Sequence, residues 1–193
     1  PRPIVVNPHL GRYSVVTVAK INNLREIADE LLSQGMHFSE LSANKINQTE
    51  LVALLINMGK DYVDGINKVY ERIEGSCSML VMTEDGIIAA RDYAGRTPIV
   101  IGRKPSGYAV TSETTAFPNL DYKVVRDVEP GEIVKLTADG IEQLQGPSGC
   151  SQICSFLWVY YGFPASDYEG INTEDVRERC GKMLGEEDDT EAD

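Results

Sequence analysis

Apolar residues open the chain in strand-like fashion. Ile4-Val5-Val6 and then Tyr13 to Val18 are β-branched and partly alternating, which predicts extended chain over 3–18. The period then changes. Leu24, Ile27, Ala28, Leu31 and Leu32 recur every three or four residues and make one apolar helical face over 24–33, with Asn23 as N-cap and Gly35 as the stop. Leu51, Leu54, Leu55 and Met58 predict a second helix over 48–58, ahead of Gly59. Val63, Ile66, Val69, Tyr70 and Ile73 predict a third over 61–73, with Gly65 as a mild weakness.

From Ser76 onward the pattern is that of strands. Segments 78–82 and 87–90 flank the hairpin-like Glu84-Asp85-Gly86. Segments 98–102 and 108–111 flank a basic hairpin tip at 103–106. Further strands are expected at 123–126, 132–136 and 141–144, the last two joined by Ala138-Asp139-Gly140. Helices followed by mainly antiparallel strands predict an α+β layered domain over residues 1–150. Gly146, Pro147 and Gly149 mark a loop or linker, after which 151–193 reads as a connecting segment with an aromatic run at 154–162 and a helix at 173–185. No internal repeat is present.

Composition narrows the class. The 193 residues are 42% hydrophobic and 25% charged, as expected of one globular domain. No apolar run approaches the ~20 residues of a membrane helix, and no signal peptide opens the chain. Cys77, Cys150, Cys154 and Cys180 fit neither a disulfide framework nor a paired zinc motif, so a reduced, cytoplasmic setting is expected. A net charge of −12 argues against nonspecific nucleic-acid binding. Glu186, Glu187, Asp188, Asp189, Glu191 and Asp193 hold much of that charge and read as a solvated end; carboxylates alone on a mobile tail do not fix a metal geometry.

Three motifs in order carry more information. RDYAGRTPIVIG occupies 91–102, Ser112-Glu113-Thr114 follows, and then Val128-Glu129-Pro130-Gly131-Glu132, whose Pro-Gly suits a type II turn. The series resembles the class II glutamine amidotransferase domain of the phosphoribosylpyrophosphate amidotransferases, where the text reads roughly RDPxGxRPLxIG, SET and VEPGE. The likeness runs along nearly the whole chain. It implies the αββα sandwich of the N-terminal nucleophile hydrolases, two antiparallel sheets between helix layers, incomplete on its N-terminal side. Residues 156–166 resemble the family's passage into a phosphoribosyltransferase domain, which is expected beyond Asp193.

The same resemblance implies where chemistry belongs. The family attacks the glutamine amide with an N-terminal cysteine whose own amine is the base; Pro1 offers no thiol. The family's oxyanion-hole segment HNGN aligns with Thr17-Val18-Ala19-Lys20, so Val18 stands where an Asn donor belongs and Ala19 replaces the Gly. Losing one such donor typically costs about 10²–10³ in rate. The family's SDTE segment, whose aspartate holds the glutamine ammonium, aligns with Asn47-Gln48-Thr49-Glu50 after an insertion near 43–47; Gln48 brings no charge. Thr97 stands in place of an arginine, with Arg96 beside it. Leu157, Phe163 and Ala165 replace the Glu, Arg and Asp of the family's FEYIYFxRPDS. These replacements predict a glutaminase-inactive domain kept for its architecture.

Cys154 matches a ligand of the iron–sulfur cluster found in part of the family, but a lone cysteine before an aromatic run reads as a small buried apolar residue, so no cofactor is expected here. Mg²⁺ is expected only in the transferase domain. His9 and His37 are isolated from any metal-ligand spacing. Trp158, Tyr160 and Tyr161 are candidates for the contact with the transferase domain, and a homo-oligomer stays open. Three functions remain: a structural or regulatory amidotransferase-like domain of purine biosynthesis, an active glutaminase whose cysteine lies upstream, and a non-enzymatic interaction module. No membrane partner is expected.

Overall fold

The computed structural model describes residues 3–39, 41–42 and 45–190. Pro1, the insertion residues Ala43 and Asn44, and the acidic positions 191–193 lie outside the described residues.

The strand periods translate into two antiparallel sheets. The larger has the order β1-β2-β5-β6-β10-β11, built from β1 (Ile4–Val6), β2 (Tyr13–Ile21), β5 (Gly75–Thr83), β6 (Gly86–Ala90), β10 (Ile133–Leu136) and β11 (Ile141–Gln145). The smaller has the order β8-β7-β9, from β7 (Val100–Lys104), β8 (Gly107–Thr111) and β9 (Lys123–Asp127). Between β2 and β5 lie α1 (Leu24–Ser33), the short strands β3 (Leu41–Ser42) and β4 (Lys45–Ile46), α2 (Gln48–Ile56) and α3 (Tyr62–Arg72).

Strand alternation sends each face of the larger sheet into a different core. Val15, Cys77, Met79, Val81, Ile88, Ala90 and Ile133 pack with Ile27, Leu31, Leu51, Leu55, Ile56 and Ile66 of the helices. Leu80, Ala89, Val134 and Leu136 face Ile99, Ile101, Val110 and Val128 of the second sheet. The outer face of the smaller sheet is closed by Phe117, whose ring lies against Gly102; a Cβ there would come within 2.5 Å of it. The α+β sandwich expected from the motif order is therefore present.

Several local expectations change. Asn23 precedes α1 but makes no side-chain cap; its amide donates to the Arg72 carbonyl at 2.9 Å and its Oδ1 accepts from Glu74 N–H, tying the start of α1 to the end of α3. Leu32 lies on the solvent side of α1. Gly65 is no weakness. A Cβ on it would stand 2.3 Å from the Ile56 carbonyl oxygen, so α2 and α3 approach as closely as they do because that position has no side chain. Helix α2 is buried nearly all round rather than along one face, and it ends at Ile56, which leaves the expected Met58 exposed beyond it.

The sequence motifs form one connected polar centre. The Arg91 side chain is fully buried. It donates to the Val128 and Gly95 carbonyls at 2.7 Å each and pairs with the Glu169 carboxylate at 2.5 Å. Asp92 accepts from the Ala94 and Thr97 amides, each at 3.1 Å, and its carbonyl accepts from Gly131 N–H at 3.0 Å. Pro130-Gly131 makes the expected turn, with Gly131 at φ 73° and Glu132 N–H reaching the Glu129 carbonyl at 3.0 Å. Glu132, 1% exposed, accepts two bonds from the Arg126 guanidinium at 2.7 and 2.9 Å, one from Gln143 and one from Glu129 N–H. Burial alone would raise its pKa, but these bonds outweigh burial and hold the carboxyl below the ordinary 4.5.

The last segment docks on that centre. It comprises a single π-type turn at Leu157–Tyr161, the hairpin β12 (Asp167–Tyr168) and β13 (Ile171–Asn172), and α4 (Thr173–Glu187). Glu113 accepts from Ser166 Oγ and from the Tyr168 hydroxyl, whose oxygen stands 3.1 Å from both carboxylate oxygens. Thr114 Oγ1 accepts from Asp167 N–H at 2.9 Å. Glu169 reaches Arg91 from a left-handed backbone position, φ 52°, at the hairpin tip. Asp127, partly buried nearby, has its pKa raised by burial and then by the Glu169 carboxylate. Trp158 belongs to the packing rather than to a free surface: its indole N–H donates to the Ile171 carbonyl and its ring meets Tyr168 edge-on at 6.0 Å. The acidic Glu186 and Glu187 end α4 rather than trailing from it.

Two expected outcomes follow from these contacts. Glu132→Gln lowers stability by about 2 kcal/mol at pH 7. Because the native pKa of Glu132 is depressed, the carboxylate's contribution is present above 4.5 and is lost as pH falls through the native value; urea denaturation from pH 7 to pH 3 therefore shows the wild-type advantage shrinking with acid. A constant difference across that range sinks the assignment. Glu113→Ala leaves the Ser166 and Tyr168 hydroxyls without their acceptor, at a cost of about 1–3 kcal/mol. Hydrogen exchange then quickens about tenfold or more in residues 166–187 and is unchanged in α2; uniform loss across the chain counts against a local latch.

Candidate functional site

The smaller sheet covers only part of the larger one. Val5, Ser14, Val16, Val18, Leu80 and Met82 share the inner face through the pairs Val5↔Ser14, Ser14↔Met82 and Val16↔Leu80, and that face runs past the edge of β8. A cleft of about 330 Å³ results, lined by Val16, Thr17, Val18, Ser78, Met79 and Leu80 on one side, with Thr97, Pro98, Ile99, Val110, Thr111 and Ser112 on the other.

Two of the segments singled out in the sequence meet behind this cleft, on the helical side of the larger sheet. Thr17 Oγ1 and Thr49 Oγ1 are 2.7 Å apart, so the strand carrying Val18-Ala19 is pinned to the first turn of α2, which carries Gln48. Val18 points to the cleft side and is 55% exposed at its mouth. Ala19, the next residue on a regular strand, packs instead with the helical core. Gln48 is the first residue of α2, behind Asn47, whose side chain caps the helix by accepting from Thr49 N–H at 2.9 Å; Gln48 does not line the cleft.

Thr97 does line it, and Arg96 does not compensate. The Arg96 guanidinium donates to the Gly75 carbonyl at 3.1 Å and to Gln152 at 3.2 Å, both outside the cleft lining. Ser78 is committed to structure, donating to the Thr97 carbonyl and accepting from Asp92 N–H. None of the twelve lining residues carries a charge. The contribution of Ser78, Met79, Leu80, Val110 and Thr111 was hidden in sequence because only sheet stacking brings 78–80 opposite 97–99 and 110–112. The available signals were the segments already singled out, which supply Thr17 and Val18, Thr97 to Ile99, and Ser112.

The cysteines offer no second centre. Burial, then Asp92, pushes the Cys77 thiol up to about 12, so it stays protonated at neutral pH. Cys154 is exposed, not the buried apolar residue its neighbourhood suggested, because the π-type turn begins after it and leaves residue 154 on the surface. Among the described residues no three His, Cys, Asp or Glu side chains are grouped to hold a metal. His9 Nε2 lies 2.9 Å from the Gly59 carbonyl, and His37 borders a separate depression of about 870 Å³ between β1 and α2, where Glu50 accepts from Ser39 N–H.

Comparison with known proteins places this geometry. The glutamine amidotransferase domain family matches residues 2–119. The chain is 30% identical over its whole length to an amidophosphoribosyltransferase of Methanocaldococcus jannaschii, of which it spans 44%. Over 95% of its length it is 33% identical to the Bacillus subtilis amidophosphoribosyltransferase, spanning 38% of that protein. The solved structure of B. subtilis glutamine phosphoribosylpyrophosphate amidotransferase complexed with ADP and GMP matches 100% of the chain at TM-score 0.87 and 30% identity, with 42% of that chain covered. The chain thus spans less than half the length of these relatives. With the family model matching residues 2–119 and the fold matching along the whole chain, it belongs to the glutamine amidotransferase domain family, in the form that amidophosphoribosyltransferases carry.

Proposed function

We propose that this is a glutaminase-inactive amidotransferase domain of an amidophosphoribosyltransferase-like protein of purine biosynthesis, with a structural or regulatory role toward its own phosphoribosyltransferase domain. The observation that carries this reading is the cleft itself, where no lining side chain bears charge; the family resemblance puts Val18 at the oxyanion-hole donor's position and Thr97 at the arginine's. A tetrahedral oxyanion there lacks one aimed donor, a loss of about 10²–10³ in rate. A glutamine ammonium and carboxylate would both enter without a charged partner, and Gln48 offers neither an anion nor a place in the lining.

The surface toward a following domain supports the structural half of the reading. Phe156, Tyr160, Tyr161 and Phe163 are 60%, 78%, 74% and 62% exposed, and they cluster on or beside the π-type turn that Glu113 and Arg91 hold in place through the hairpin. Large aromatics left in water at one site mark an interface. Glutamine hydrolysis and attack of ammonia on phosphoribosylpyrophosphate are separable half-reactions with different transition-state contacts, so loss of the first leaves the second available to free ammonia. The resemblance assigns any Mg²⁺ requirement to that second site.

The test uses the parent protein. Ammonia release from glutamine and covalent labelling by a glutamine-analogue electrophile are both expected to be absent, while ammonium chloride supports consumption of phosphoribosylpyrophosphate. Turnover with glutamine equal to or better than with ammonium overturns the proposal. No turnover with either leaves the domain with a purely structural or regulatory role.

A further inference from the structure

Among the described residues, none after Leu144 belongs to either hydrophobic core. The last segment is instead bound together internally. Arg177 donates to the Trp158 and Gly162 carbonyls at 2.8 Å each, and Trp158 donates to the Ile171 carbonyl. Thr173 donates to the Ser166 carbonyl through both its N–H and its hydroxyl, each at 2.9 Å. Toward the body of the domain the segment makes polar contacts: Glu169 on Arg91, Ser166 and Tyr168 on Glu113, and Asp167 N–H on Thr114. A unit attached in this way can leave the body without opening either core.

The ion pair is the hardest of these contacts to break. A guanidinium held out of water needs a counter-charge, and loss of Glu169 alone would strand the Arg91 cation. A second carboxylate stands beside it. Arg91 gives one terminal nitrogen to Glu169 and the other to the Val128 carbonyl, and Asp127 is the residue just before Val128. Its neighbour Arg126 is spent on Glu132 and on the Asp127 carbonyl. The half-buried Asp127 carboxylate is attracted by Arg91 and repelled by Glu169 and Glu129, yet no side chain among the described residues donates to it. Burial, and then Glu169, hold it above the ordinary 3.8, as expected of a carboxylate without a cation of its own.

We propose that Asp127 is a standby partner for Arg91, and that the last segment is a strap which undocks when the guanidinium exchanges Glu169 for Asp127 and docks again on the reverse exchange. Two carboxylates compete for one buried cation, so Arg91 stays neutralised in both arrangements and the element has two discrete states. The exposed aromatics Phe156, Tyr160, Tyr161 and Phe163 ride on the strap, so the exchange moves that surface relative to the sheets.

Hydrogen exchange in the parent protein distinguishes this device from a fixed salt bridge. Residues 166–172 report the strap, and β5, in the interior of the larger sheet, reports the domain. Asp127→Asn removes the competitor and is expected to slow strap exchange about tenfold. Glu169→Gln quickens strap exchange about tenfold or more but leaves β5 within about threefold of wild type, because Asp127 takes over Arg91. In the Glu169→Gln background the sign reverses: Asp127→Asn leaves Arg91 without a carboxylate, and β5 exchange quickens about tenfold or more. Failure of Asp127→Asn to slow the strap in the otherwise wild-type protein overturns the proposal, as does an unchanged β5 in the double variant. If the double variant does not fold, the strap exchange of Asp127→Asn alone decides.

Discussion

A guanidinium taken fully out of water is tolerated only where fixed acceptors replace the lost hydration, and Arg91 is such a group. Its terminal nitrogens meet the Val128 and Gly95 carbonyls and the Glu169 carboxylate; its Nε is the one buried side-chain nitrogen or oxygen with no partner among the described residues. Those three partners belong to the turn after β9, the turn after β6 and the hairpin of the last segment. Arg91 therefore sets where the second sheet joins the first and where residues 156–163 come to lie. Glu132 and Arg126 repeat the device on the other side of the Pro130-Gly131 turn, with a buried carboxylate and a partly exposed guanidinium.

How much of this was legible in the chain depends on how local its cause is. Helices α1 and α3 and most strands were found nearly to the residue, because period and turn residues are local signals: Gly35, Gly86 and Gly131 take positive φ where breaks were expected. The end of β2 was placed too early, since Ala19 and Ile21 are held by pairing with Cys77 and Gly75, fifty-odd residues away. Gly65 was misjudged for a similar reason: its cost as a helix residue is local, whereas the Ile56 carbonyl that requires it is not. The exposed Cys154 and the packed Trp158 depend on a π-type turn, for which sequence period gives no cue.

The candidate site was legible in a different sense. Val18 and Thr97 were identified as replaced positions from alignment to a family pattern, and both line one cleft; Gln48 was identified in the same way and does not. Ala19 falls on the opposite face by simple alternation. The cleft's existence was not legible, because it arises from the overhang of a six-stranded sheet past a three-stranded one.

The motifs that carry family resemblance and the cleft-lining positions Val18 and Thr97 have different burial and contacts in this fold. Arg91, Asp92, Glu113 and Glu132 make contacts whose loss leaves a polar group unpaired, and a side chain at Gly95 or Gly131 would collide with Pro130 or Ser148. Such positions resist change for reasons of folding alone. Val18 and Thr97 sit at a cleft wall, where exchanging a polar or charged side chain for a smaller or apolar one breaks none of those contacts. Removal of charge from an enclosed site is neutral or favourable for stability, since functional charges there are held against their desolvation cost. That separation is compatible with a chain that matches the fold of its relatives along its whole length while the cleft between its two sheets is lined by uncharged residues.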